Sequence, residues 1–151
     1  MIKNYTSGVP VSRTLSRIEE ILVNGGAINI MKDYKNGVID AVCFLVEEPT
    51  SGKKIAVRLP ANVEAVYEIL QSEVRRPRSG TLEKLKEQAN RTAWKLMQDW
   101  VEVQMSLIAM HQAEFLQVFL PYVWDGKRTF FHTLKENGFK LLTDGEQGRT
   151  K

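Results

Sequence analysis

The apolar positions of this chain change period several times, and each change marks an element. Val11, Leu15, Ile18, Ile21 and Leu22 recur at helical spacing through "VSRTLSRIEEILVN", with Arg13, Arg17, Glu19 and Glu20 elsewhere on the wheel. Pro10 suits the start of this helix and Gly25-Gly26 its end, so a helix over 11–24 is predicted. From residue 27 β-branched and aromatic residues take over. Two strand-like runs, 27–34 and 38–47, flank Asn36-Gly37, a dipeptide suited to a two-residue hairpin because both residues tolerate positive φ. These strands are predicted to pair antiparallel. A third run, 53–59, alternates, with Ile55, Val57 and Leu59 on one face and Lys54, Ala56 and Arg58 on the other. After "LPAN", residues 62–72 read as a short helix with Val63, Val66, Tyr67 and Leu70 inward and Asn62 as its cap.

Residues 73–80, "EVRRPRSG", carry Pro77 and Gly80 and no apolar period beyond Val74, which marks a basic linker. Residues 81–110 then run without Gly or Pro and consist largely of good helix formers. A helix of that length measures about 45 Å, more than the diameter expected of so small a domain, so it is predicted to project, bend or be shared with a partner. On the wheel its polar arc is narrow, holding Lys95, Gln98, Asp99, Glu102 and Ser106. Two apolar stripes fill the rest: Trp94, Met97, Val101, Met105 and Ile108, and beside them Ala93, Leu96, Trp100, Val103 and Leu107. Packing on two sides points to a homo-oligomer, dimer or higher, built on a two-fold contact along this helix. The stretch "AEFLQVFLPYVWDGKRTFFHTLKENGFKLL" holds an apolar turn ending at Pro121, an Asp125-Gly126 turn and a short helix around 128–136 that folds back on the long one. Residues 143–151 form a polar tail, expected to fray. The fold class is therefore α+β in a single domain over 1–151: N-terminal helix, three-stranded antiparallel sheet, short helix, then a long amphipathic helix and a C-terminal helical segment.

Composition narrows the class further. With 151 residues, 43% of them hydrophobic and 26% charged, the chain is of ordinary globular make-up, which argues against wholesale disorder. No window approaches the run of about 18 apolar residues that a membrane span needs, and the first residues lack the apolar stretch of a signal peptide. The expected location is the cytoplasm of a host cell, without membrane association. The only cysteine, Cys43, sits in a strand pattern and reads as a small core hydrophobe. A net charge of +3 and a pI near 9.0 permit an anionic partner without demanding one.

Motifs of catalysis are missing: there is no GxSxG, Walker A, HExxH or CxxC, and one cysteine with two histidines makes a structural metal site improbable. His111 and His132 read as surface or packing histidines, and Asp99 with Glu102 as a solvated face. The expectation is no enzyme, no catalytic residue, no cofactor and no metal, which leaves binding. Anion contacts could come from Arg58 and Lys54 on the third strand, Arg75, Arg76 and Arg78 in the linker, Arg91 on the long helix, and Lys127 and Arg128 after the turn. A strand holds Arg58 just ahead of Leu59-Pro60, where it serves either a buried ion pair or a ligand. Asn90 and Gln104 interrupt apolar surface, which suits either a hydrogen bond that sets helix register or, for Asn90 with Arg91 and Trp94, a pocket for a base or ribose beside a phosphate.

The order helix, three strands, helix over residues 1–72 resembles the double-stranded-RNA-binding fold in topology, although "ANVEAVYEIL" has none of the lysines that family places at the start of its second helix. The pieces "YTSGVPVSRTLSRIEEIL", "VRLPAN", "TAWKLMQDWVEVQMSLI" and "VFLPYV" resemble a group of small phage and prophage proteins. In size and general build the chain is similar to the Thoeris anti-defence sponges, which sequester cyclic nucleotide signals in pockets between subunits without degrading them. That resemblance implies a phage-encoded binding protein that captures a small nucleotide-type ligand at an oligomer interface, with Arg58, Asn90, Arg91 and Trp94 first in line and Lys54, Arg75, Arg76 and Arg128 as weaker phosphate contacts. Two other readings stay open. One is a nucleic-acid accessory protein using the basic linker and the sheet face; the other is an inhibitor that covers a host defence protein with an apolar helix face.

Overall fold

The structure, a computed structural model, describes residues 3–143, so the predicted tail lies outside the described residues apart from Thr143. Helix α1 spans Val11–Asn24, and strands β1, β2 and β3 span Asn29–Lys35, Val38–Glu47 and Lys54–Pro60. Helices α2, Val63–Ser72, and α3, Thr81–Ala109, follow. The C-terminal part holds α4, Phe115–Phe119, a 3₁₀ turn over Leu120–Tyr122, α5, Phe130–Glu136, and α6, Lys140–Thr143. This is the expected α+β architecture: helix, three-stranded antiparallel sheet, short helix, long helix and C-terminal helical segments.

Local chemistry explains most boundaries. At the hairpin, Asn36 and Gly37 take φ of 53° and 78°, the two positive values that let a two-residue turn match the twist of its strands. After α1 the chain leaves through Gly26 at φ 104°, a conformation a side chain would oppose. The Asn62 side chain accepts the Ala65 N–H at 3.1 Å and so caps α2 as expected. The strands run in the order β1-β2-β3, with every neighbouring pair antiparallel.

One irregularity escaped the sequence pattern. Asp33 pairs with Ala41 but Tyr34 pairs with Ile39, leaving Asp40 as an extra residue in β2. Such a bulge shifts the alternation by one. It keeps Ile39 in the core while freeing the Asp40 carboxylate to reach Arg58 on the opposite face of the sheet.

The core lies between the other sheet face and the helices. Val42, Phe44, Val46, Val57 and Leu59 meet Leu15, Ile18 and Leu22 of α1 and Trp94 and Val101 of α3. Full burial of such side chains is worth about 1.5–3 kcal/mol each before conformational entropy is charged against it. Phe44, Phe115, Phe119, Trp100 and Tyr122 extend this core as an aromatic cluster, edge-on except for the tilted Phe115–Phe119 pair, with ring centroids 4.8–6.2 Å apart, and tie the C-terminal part to α3 and β2.

Several expectations about α3 need correction. The helix is unbroken over 29 residues, about 43 Å, and packs against both α2 and α1. Gln98, assigned to the polar arc, is buried, whereas Val103, assigned to an apolar stripe, is 56% exposed. The segment of residues 3–9 lies along α3 and covers part of the face the wheel left to solvent, at Gln88, Arg91, Thr92 and Asp99. Asn4 and Ser7 supply the carbonyl oxygens there: Thr92 Oγ1 donates to Asn4 at 2.9 Å, and Gln88 and Arg91 donate to Ser7 at 3.0 and 3.2 Å. Asp99 and Glu102 are contact points rather than a bare solvated face. Asp99 binds Lys3 and Asn4, and Glu102 pairs with Arg17 at 3.0 Å.

Candidate functional site

The C-terminal part does more than fold back on α3. Trp124 donates its backbone N–H to Ala56 of β3 at 2.9 Å and Val123 bridges Val57, so this segment closes the outer edge of the sheet. A tight turn follows, in which the Asp125 carboxylate accepts the N–H groups of Lys127 and Arg128 at 2.8 and 2.9 Å. Those backbone bonds hold the Asp125 pKa below the ordinary carboxylate value. Trp124 then bridges Thr129, whose hydroxyl caps α5 by accepting the His132 N–H. Thus one rigid turn presents Trp124, Lys127, Arg128 and His132 beside Arg58.

Together with Pro60 and Glu136 these residues line an open cleft of about 250 Å³. The Arg58 guanidinium stacks over the Trp124 ring at 5.6 Å from its centroid. It is also held by two carboxylates of the same sheet face, bonding Asp33 directly and Asp40 at 3.0 Å. Partial burial pulls its pKa down, but the bonds to Asp33 and Cys43 more than offset this and raise it. The same burial raises the Cys43 thiol, 3.5 Å from Arg58, against the lowering influence of that arginine. Arg128 pairs with Glu136, while Lys127 has no ion-pair partner among the described residues. Thr129 Oγ1 lies 2.9 Å from His132 Nδ1.

Chemically, this is a cradle for an anion with a planar group. Among the described residues, Lys127 supplies an ammonium without an ion-pair partner, Arg128 a guanidinium paired with the exposed Glu136, and Trp124 an aromatic wall. Among the described residues no group of three His, Cys, Asp or Glu side chains could hold a metal ion. The hydroxyl–imidazole pair of Thr129 and His132 is accounted for by the cap of α5.

Of the residues picked from the sequence, Arg58 and Arg128 come together here, seventy positions apart in the chain, and Lys127 joins them. Asn90 does not. It lines a second cleft of about 560 Å³ bounded by the β1–β2 turn, the start of α2 and the first half of α3. This cleft is lined by residues of one chain. Arg91 is engaged with Ser7 and Gln88, the latter at 2.7 Å, and Trp94 sits in the core with none of its surface exposed; neither lines either cleft. Lys54 is exposed at the start of β3 opposite Glu47, and Arg75 and Arg76 are exposed in the linker, all away from both clefts. Trp124 was missed. Its signal was legible, since an aromatic residue before an Asp-Gly turn and a Lys-Arg pair after it place three recognition groups on one hairpin.

No protein-family model matches the chain, and comparison with curated proteins and with solved structures likewise returned no match. Among the described residues, no helix is long and apolar enough to cross a membrane.

Proposed function

We propose that this protein is a non-enzymatic binding protein that captures a small nucleotide-type ligand, its phosphate between Lys127, Arg128 and Arg58 and its base against Trp124. The observation that carries this reading is the convergence of Arg58 from the sheet with Trp124, Lys127 and Arg128 from one turn in a single cleft. A volume of about 250 Å³ suits one phosphorylated ring rather than a long oligonucleotide. Two of the three cations already have carboxylate partners, so an anion must compete for them. Binding is therefore expected to be salt-dependent and centred on Lys127 and Arg128. In this reading capture without turnover is the function: a phage or prophage protein, acting as an oligomer, would withdraw a cyclic nucleotide signal from a host defence.

The test is calorimetry at two salt concentrations with cyclic nucleotides, cyclic ADP-ribose isomers and short DNA and RNA duplexes. Saturable binding of one small nucleotide, released intact on denaturation and lost in Lys127→Ala/Arg128→Ala, is the expected result. Binding to duplexes alone, falling steeply with salt, would transfer the function to nucleic acid and to the exposed Arg75, Arg76 and Arg78 loop. No binding to either class would sink the proposal.

A further inference from the structure

The two edges of the sheet differ. Val123 and Trp124 close the outer edge of β3, whereas among the described residues nothing pairs with the outer edge of β1. An open edge presents a row of unpaired N–H and C=O groups, a template for another strand, and proteins usually guard it with charged side chains, prolines, bulges or a very short strand. On β1 those guards are slight. The strand has seven residues and no proline, and the bulge lies in β2. Lys32 is drawn back onto Glu19 of α1 at 2.9 Å, Asp33 is held by Arg58, and Lys35 stands at the last position. Between them the strand shows water three apolar side chains, Ile28 and Met31 at 49% exposure and Tyr34 at 59%. Ile28 continues the ladder, its N–H donating to Leu45 at 2.8 Å.

The spacing of these residues names the partner, because Ile28 and Tyr34 flank Met31 symmetrically. In a two-fold antiparallel pair, residues directly opposite point to the same face, so the axis passes through one residue and its own copy. Centring the pair on Lys32 or on Asp33 sets that charge against itself, which is destabilising. Centring it on Ile30 leaves Tyr34 without a partner and sets Ile28 against Lys32. Centring it on Met31 sets Met31 against Met31, Ile28 against Tyr34, the aliphatic stem of Lys32 against Ile30, and the Asn29 amide against the Asp33 carboxylate. Lys35 then falls beyond the paired segment. We infer that β1 pairs antiparallel with β1 of a second copy of this chain across a two-fold axis at Met31, joining the two sheets into one. The pairing goes beyond the capture reading and does not depend on it. It uses a different surface from the α3 stripe, where Trp100 is engaged with Phe119 and Tyr122.

The experiment is sedimentation equilibrium of the full chain beside Met31→Glu, Ile28→Lys, Tyr34→Glu and the double variant Ile28→Lys/Tyr34→Glu. The parent should pass from 17.2 kDa towards twice that mass with a Kd of about 10–100 μM, since one strand pair buries less than a standard interface. Amide exchange over residues 28–34 should slow as the concentration rises. Met31→Glu, which sets two carboxylates on the axis, should weaken the dimer about a hundredfold. Ile28→Lys and Tyr34→Glu should each weaken it about tenfold, because each contact occurs twice. The double variant should recover most of that loss by setting opposite charges across the seam. All three positions are exposed, so circular dichroism should show the fold unchanged. Val103→Glu, on the exposed side of α3, should leave the dimer intact. None of these residues lines the Arg58 cleft, so failure of ligand capture there is scored separately. A chain that stays monomeric up to about 1 mM overturns the proposal. So does a dimer indifferent to Met31→Glu, one that the double variant fails to recover, or one lost in Val103→Glu.

Discussion

The Arg58 cleft and the Asn90 cleft meet at the Arg58–Asp40 ion pair, yet their polar groups are in opposite states. Around Arg58 the charges are abundant, mostly paired and open to water, so a ligand must exchange one partner for another. Around Asn90 the formal charges nearly cancel, and the feature that stands out is a pair of buried atoms, Asn90 Oδ1 and Trp94 Nε1, with no hydrogen-bond partner among the described residues. Water and salt screen the charges of the first cleft, whereas the two unpartnered atoms beside the second are closed off from solvent.

The largest expected effect separates the two indoles. Trp94→Ala should cost about 3–5 kcal/mol in urea unfolding, because a fully buried ring is removed from the core, whereas Trp124→Ala at the rim should cost far less. Equal losses would mean that the Arg58 cleft is as much core as the Asn90 side. Next in size is Arg58→Ala, expected to destabilise by about 1–2 kcal/mol, since it leaves Asp33 and Asp40 facing one another at a partly solvated site. Adding Asp40→Asn should recover part of that loss; no recovery would show that the ion pair is not what holds the wall between the clefts. Asn90→Leu should leave the unliganded protein at least as stable as the parent, because it removes an acceptor that has no donor. A clear drop in its melting temperature would reveal an Asn90 hydrogen bond.

The smallest effect concerns the segment of residues 3–9, which belongs to neither cleft. Partial burial tends to raise the Asp99 pKa, but the hydrogen bonds from Lys3 and Asn4 and the charges of Lys3 and Lys95 outweigh it and hold the carboxyl below its ordinary value. A depressed folded-state pKa means that the stabilisation is present above the unfolded value and lost as pH falls through the folded one. Amide exchange over residues 4–9, corrected for its intrinsic pH dependence, should therefore rise selectively as the solution is acidified through and below the carboxylate range. Asp99→Asn should show raised exchange already at neutral pH; an unchanged profile would mean that the segment is held by Thr92, Gln88 and Arg91 alone.

Much of the fold was legible in the chain. Helices 11–24 and 62–72, the hairpin at Asn36-Gly37 and the two faces of β3 follow from period, caps and turn chemistry, all of which act over a few residues. Candidate cations could be named in the same way, and Arg58 was singled out because a strand fixes its direction. What the residues could not disclose is which of them meet. The bulge at Asp40 turns on a register shift between two strands, the contacts of Thr92 and Asp99 on a segment near the start of the chain, and the pairing of Arg58 with Trp124 and Arg128 on a turn docked to the far edge of β3. Local pattern determined the elements of this protein because helix and strand periods are short-range properties of the backbone. The two clefts were decided only in the tertiary structure, because packing brings together side chains whose neighbours along the chain carry no trace of the meeting.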